Sequence, residues 1–288
     1  MNKFLYHYVK DPSAVVGSVL LLMVLVGGLF APLIAPQDPY DLTALSLENS
    51  MKPPVWMEGG QAPFTLGTDR QGRDVLSTML YGCRTSLMVG FGAVLLSSTL
   101  GIAIGLLTGF YGHWLDAIFM RLADVLFSFS QTLMAILMLG ILARKGVLVV
   151  ILAICVAGWV QYARTIRSEI LSLRRQDYIS AAYAMGVNNL RIMLKHLLPN
   201  AMPPILVIIA VDFGVAVMLE ATLSFLGIGV PITQPSLGMM ISTGRKYLYS
   251  GQWWLIVFPG GALMAIVLGV NLVADWLREE INPKLKKR

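Results

Sequence analysis

The residues best placed to do chemistry stand in one polar stretch, "RRQDYISAAYAMGVNNLRIMLKHLLPN" (174–200), between two strongly apolar runs. The chemistry they suit is recognition of another surface rather than the making of bonds. Asp177 is a good helix N-cap and Gly186 a good residue to end a helix. Between them Ala181, Ala182 and Ala184 keep one side of the short helix thin, so that a second surface can approach closely. Tyr178 and Met185, seven apart, share a face and offer apolar contact. A second helical stretch follows, from about Asn188 to Leu198. It carries Arg191 and Lys195, and "LLPNAMPP", with Pro199, is expected to end it. Anchors spaced in this way suit a helix pressed into a groove on a partner. The alternative is an amphipathic helix lying on a membrane surface.

Two acids inside an apolar run are the other candidates. A carboxylate at mid-membrane costs about 2.5–3.5 kcal/mol, so Asp212 and Glu220 should face protein or water rather than lipid. Eight residues apart, they fall on roughly one helix face. They either line a cavity for a cationic or zwitterionic solute, as residues of a translocation path, or clamp helices together. Glu220 is read as a clamp, with Asn271 or an arginine at a span end as partner; for Asp212 both readings stand. Asp124 with Arg121, and Asp275 with Arg278, have the spacing of local ion pairs. Nothing else points to a reaction. His7, His113 and His196 lie apart, and Cys83 and Cys155 show no ligand or disulfide spacing. No nucleophile–base set is visible, and no G-x-x-x-x-G-K-[ST] loop occurs. The expectation is a chain that is not an enzyme and carries no cofactor or metal. If ATP drives it, another subunit binds the ATP.

The elements that must position these residues are transmembrane helices. Of the 288 residues 56% are hydrophobic and only 13% charged, and the mean hydropathy is +0.70; a soluble domain carries about 25% charged residues. Six runs are long enough to cross a bilayer: about Ala14–Ala35, Thr85–Phe110, Ala117–Ala143, Val147–Ala163, Ala201–Ile228 and Trp253–Trp276. Only "RKG" (144–146) parts the third from the fourth, which predicts a tight hairpin. Gly101, Gly105 and Gly109 form a small-xxx-small run for close helix packing.

The basic residues orient the bundle. With the N-terminus in the cytoplasm, fourteen of the 22 fall inside, among them Lys3, Lys10, Arg164, Arg167, Arg174, Arg175, Arg191, Lys195, Arg278, Lys284 and Arg288. Both termini and the 174–200 stretch are then cytoplasmic. Scattered at span ends, these charges do not form a nucleic-acid-binding face. The chain divides into an N-terminus with the first span (1–35), an extracytoplasmic loop (36–84), a transmembrane domain (85–276) with a coupling loop at about 172–200, and a basic tail (277–288). The outer loop is rich in Pro and Gly, yet Trp56, Phe64 and Leu66 give it apolar anchors, which favours a structured cap over a flexible linker.

The segment "SAAYAMGVNNLRIMLKHLLP" resembles the EAA-type coupling motif of ABC importer permeases. Ala181, Ala182, Gly186, Leu198 and Pro199 match; Ser180 stands where the general motif has Glu, and His196 where it often has Ile. Four more stretches are similar to the peptide- and nickel-importer branch: "LGTDRQGRDVLSTMLYGCRTSL" (66–87), "LDAIFMRLADVLFSFS" (115–130, with Ser130 where proline is usual), "EATLSFLGIGVPITQPSLGMMI" (220–241, with Leu237 where tryptophan is common) and "NLVADWLREEINPKLK" (271–286). The resemblance runs from about residue 9 to 286. It implies an all-α integral membrane protein of the six-helix type I ABC importer permease fold, in a bacterial inner membrane. It also implies a homologous second permease, with a heterodimer expected, two cytoplasmic ABC ATPase subunits and an extracytoplasmic substrate-binding protein. On this resemblance Asp177, Tyr178, Ala181, Ala182, Met185, Gly186, Arg191 and Pro199 couple the chain to an ATPase. The implied cargo is a di- or oligopeptide, with a nickel or other metal chelate as the alternative. From outside the class, an ion-gradient-driven transporter would call for inverted repeats, and none is visible.

Overall fold

The computed structural model describes residues 3–41, 46–231 and 233–281. In chain order its helices are α1 (Lys3–Lys10), α2 (Pro12–Leu29), α3 (Ala31–Ile34), α4 (Val75–Tyr111), α5 (His113–Phe127), α6 (Gln131–Leu142), α7 (Val147–Leu173), α8 (Asp177–Ala184), α9 (Asn189–Arg191), α10 (Leu198–Phe225), α11 (Leu237–Gly244) and α12 (Trp254–Ile281). Among the described residues five helices are long and apolar enough to cross a membrane: α2, α4, α7, the α9–α10 rod and α12. The count is six if α5 and α6 make one span. The basic tail residues Lys284, Lys286, Lys287 and Arg288 lie outside the described residues.

The spine of the bundle is α4 against α7. The two run in the same direction, and glycine sets their spacing. A Cβ on Gly101 would lie 2.5 Å from the Trp159 carbonyl oxygen, and one on Gly105 2.5 Å from that of Ala163. The expected small-residue seam therefore exists, and its partner is the backbone of α7. Helix α10 runs back against both, α12 packs on α10, and α2 closes the bundle against α12 and α4. At one end Tyr8 of α1 meets Trp276 of α12 edge to face, with ring centroids 4.6 Å apart. That end also carries α8.

The third span departs from expectation. The run 117–143 is not one helix: α5 and α6 meet at a 97° bend. Ser128, Phe129 and Ser130 cause it. Ser128 Oγ donates to the Val125 carbonyl oxygen (2.6 Å), giving the backbone an alternative to the helical bond. Ser130 is extended (φ −60°, ψ 134°) and caps α6. The tight hairpin forms between α6 and α7 alone, through Ala143 in the left-handed region (φ 48°).

Other boundaries move for local reasons. Helix α4 starts at Val75, before the expected Thr85, because Asp74 Oδ2 accepts from Ser77 N (2.7 Å) and Ser77 Oγ (2.6 Å). "LLPNAMPP" does not end a helix, since α10 runs straight through Pro199, Pro203 and Pro204. A π turn at Ile192–Leu197 joins α9 to α10. Its extra residue per turn eases the clash between the Pro199 ring and the carbonyl four residues back. Asn200 Nδ2 donates to the His196 carbonyl oxygen there (2.6 Å).

The expected local pair of Asp124 with Arg121 is replaced by a tertiary one. Arg164 Nη2 donates to Asp124 Oδ1 (2.7 Å), and Arg167 grips Asp116 through Nε and Nη2. Both ion pairs tie α5 to α7. At the end opposite α8, the described part of the 36–74 segment is a packed cap. Trp56 meets Phe258 of α12 edge to face (6.1 Å between centroids), and Leu66 joins the cluster around Val75, Trp254 and Leu255.

Candidate functional site

The 174–200 stretch leaves α7 and turns at once. Arg174 Nη1 donates to the Gly109 carbonyl oxygen of α4 (3.0 Å), fixing the exit of the chain. Gln176 is extended and forms the N-cap of α8 without a side-chain bond. Asp177 is thus the first helical residue, not the cap, and its charge still complements the positive end of the helix.

At the other end the chain closes in a Schellman motif. Gly186 N donates to the Tyr183 carbonyl (2.9 Å) and Val187 N to that of Ala182 (3.1 Å). Gly186 sits at φ +74°, where a side chain is strained. The expected helix stop is present in full.

Burial sorts the rest. Ile179 and Ala182 face the bundle and join Ile166, Ile170, Ile192, Met193 and Leu197 in one core cluster. Ala182, 3% exposed, lies on the face that holds α8 to its own protein, not on the exposed one. Tyr178, Ala181 and Met185 face away together, spaced three and four apart, and Met185 is 75% exposed. Arg191 and Pro199 are exposed as well. Two further residues of the stretch, Tyr183 and Leu190, are also large, apolar and exposed. Their signal was an aromatic and a leucine in a stretch too short to have an interior of its own.

The two intramembrane acids part company. Glu220 is fully buried. Its Oε2 accepts from Ser86 Oγ of α4 (2.6 Å), and its Oε1 from Ser224 Oγ of α10 and Ser236 Oγ before α11 (2.8 Å each). It is a clamp, as expected, but its partners are three serines rather than Asn271 or an arginine. Its side chain is closed off from solvent in this structure. Asp212 lines a small cavity with Ser97, Gln131, Gly158 and Tyr162, where α4, α6, α7 and α10 meet. The buried Tyr162 hydroxyl there makes no hydrogen bond of good geometry. Among the described residues no three His, Cys, Asp or Glu side chains gather as a metal would need.

Comparison with known proteins identifies the architecture. Residues 101–287 match the family described as "Binding-protein-dependent transport system inner membrane component". The chain belongs to this family. Residues 2–54 match the "N-terminal TM domain of oligopeptide transport permease C". The chain is 36% identical to the dipeptide transport system permease protein DppC of Haemophilus influenzae, over 100% of this chain and 96% of that one. It is 36% identical to the oligopeptide transport system permease protein OppC of Bacillus subtilis, over 96% of this chain and 88% of that one. Among solved structures, a chain of the MetNI methionine ABC transporter in an inward-facing conformation aligns with a TM-score of 0.55 at 19% identity, covering 71% of this chain and 96% of its own. The fold is that of an ABC importer permease, and the protein is a multi-pass inner-membrane component of a binding-protein-dependent system.

Proposed function

We propose that this chain is the transmembrane permease subunit of an ATP-driven importer of di- or oligopeptides, coupled to a separate ATPase subunit through α8. The observation that carries the coupling role is the division of α8 into a buried face and an exposed apolar face. Ile179 and Ala182 anchor the helix, while Tyr178, Ala181 and Met185 present spaced contacts to a groove. Asp177, Gly186, Arg191 and Pro199 frame that surface. ATP-driven closure of the ATPase pair would move α8 and, with it, α4 and α7, switching the bundle between inward- and outward-facing states.

The peptide cargo is supported by the relatives, which are named dipeptide and oligopeptide permeases. None of these names supports the metal-chelate alternative. A second homologous permease, two ATPases and an outer binding protein complete the reading, with α1, α8 and the end of α12 on the cytoplasmic side and the 36–74 cap outside. The excess of basic residues at the α8 end supports that orientation.

The test is uptake in cells lacking this chain and in cells with it restored, supplied with a labelled dipeptide or, separately, a labelled nickel–histidine complex. Restored dipeptide uptake that is lost in Met185→Glu is the expected result. Restoration of nickel uptake alone would refute the cargo and leave the coupling role standing.

A further inference from the structure

Beneath the cap, at the end opposite α8, lies a cavity of about 220 Å³. Asp69, Arg73, Thr78, Gln234, Ser236 and Lys246 stand in its wall. Arg73 is the anomaly. It is 8% exposed, its Nε has no hydrogen-bond partner, and its guanidinium makes no ion pair among the described residues. Asp69 answers this charge only through space, without an ion-pair contact, and a largely buried cation so weakly matched favours a compensating anion.

The acid in the same wall is already engaged. Asp69 Oδ1 accepts from the backbone N–H of Gln71 (2.7 Å) and of Arg73 (2.9 Å), so it shapes the loop and meets the Arg73 charge only at a distance. Arg70 and Lys246 add positive charge to the wall and leave Asp69 outnumbered. The side-chain oxygen of Gln234 is likewise buried without a partner, so its amide is free to turn its NH₂ toward an anion.

The chemistry that fits is a planar anion with two acceptor oxygens, matched by the guanidinium fork. The volume is below the roughly 300–1,000 Å³ of pockets that enclose a whole ligand, so the site takes an end group.

We propose that this cavity is a carboxylate site, which receives the C-terminus of a short peptide entering the permease. The peptide part rests on the importer reading above. The carboxylate part rests on Arg73 and the cavity alone.

The test is thermal unfolding of the full chain in lipid nanodiscs, titrated with acetate, glycylglycine and glycylglycinamide. The expected result is a saturable rise in midpoint with acetate and glycylglycine and none with glycylglycinamide, whose end is uncharged. Arg73→Gln should abolish the rise. Lys246→Gln changes an exposed residue at the rim, so it should fold normally and weaken glycylglycine several-fold; it carries the test if Arg73→Gln does not fold. No saturable rise with either carboxylate, an equal rise with the amide, or a rise that survives both substitutions would overturn the site. A rise with acetate but not with glycylglycine would overturn its assignment to peptides. Because unfolding is read without transport, failure of the site and failure of the uptake experiment are separate results.

Discussion

The α8 segment and the Glu220 cluster both lie within motif stretches and both join neighbouring helices, yet they are built in opposite ways. Every contact of Glu220 is internal: three serine hydroxyls from three parts of the chain fill its two oxygens, and no solvent reaches it. On α8 one face is internal and the other, with Tyr178, Ala181 and Met185, is exposed. Polar satisfaction is complete in the first region, while apolar burial is half finished in the second. A motif residue whose interactions close within the chain holds the fold. One whose contacts are left open is, on the proposed reading, available to another molecule.

Breaking the closed region should have the largest effect. Glu220→Ala strands three buried hydroxyls and should cost about 3–5 kcal/mol, read as a lowered unfolding midpoint and poor accumulation in membranes. Glu220→Gln keeps an acceptor for each oxygen position but one and should lose less. If the alanine variant unfolds as the unaltered chain does, the cluster is not a clamp.

Two glutamates placed on α8 sharpen the contrast. Ala182→Glu forces a charge into the cluster of Ile166, Ile170 and Ile192 and should destabilise the chain by about 2 kcal/mol or more. Met185→Glu should leave stability within about 0.5 kcal/mol while uptake is lost, because an anchor at a docking surface is worth about 2 kcal/mol or more. Equal behaviour of the two variants in the stability measurement would erase the two-faced picture of α8.

Gly186→Ala tests the stop that ends α8. At φ +74° the added Cβ should cost roughly 1–2 kcal/mol, seen in chemical denaturation. The space around Gly186 is open, so the penalty is conformational rather than a clash.

The smallest effect belongs to the cap. Burial holds the Asp69 carboxyl above its ordinary range, against the hydrogen bonds it accepts. Its folded form therefore binds protons more tightly than its unfolded form. From this group, stability falls as pH rises from 3.8 through the raised folded value, and it is fully present below that window. Asp69→Asn keeps an acceptor oxygen for the loop amides and removes that slope, which a pH series of unfolding midpoints would show.

Much of this was legible in the residues themselves. Long apolar runs can only be spans, because a backbone in lipid must satisfy its own hydrogen bonds. A glycine every fourth residue at 101, 105 and 109 can only be a close packing seam, and the seam is there. Asp177 to Gly186 reads as a short capped helix, correct to within one residue at its start. The bend at 128–130 was less legible, since no proline marks it and serine hydroxyls compete with the helix only where the surroundings allow it. The run through Pro199, Pro203 and Pro204 was misread because local rules forbid what a π turn and an asparagine side chain together permit.

The sequence by itself determined five of the long apolar helices and where the short helix ends. These follow from transfer free energy and backbone sterics, which act within a few residues. Only the tertiary structure decided which face of α8 is closed, that Asp124 answers Arg164 rather than Arg121, that Glu220 is held by serines from 86, 224 and 236, and that the Arg73 Nε lies buried without a hydrogen bond. Each of these depends on groups far apart in the chain, and their meeting is set by the packing of whole helices, which no local pattern encodes.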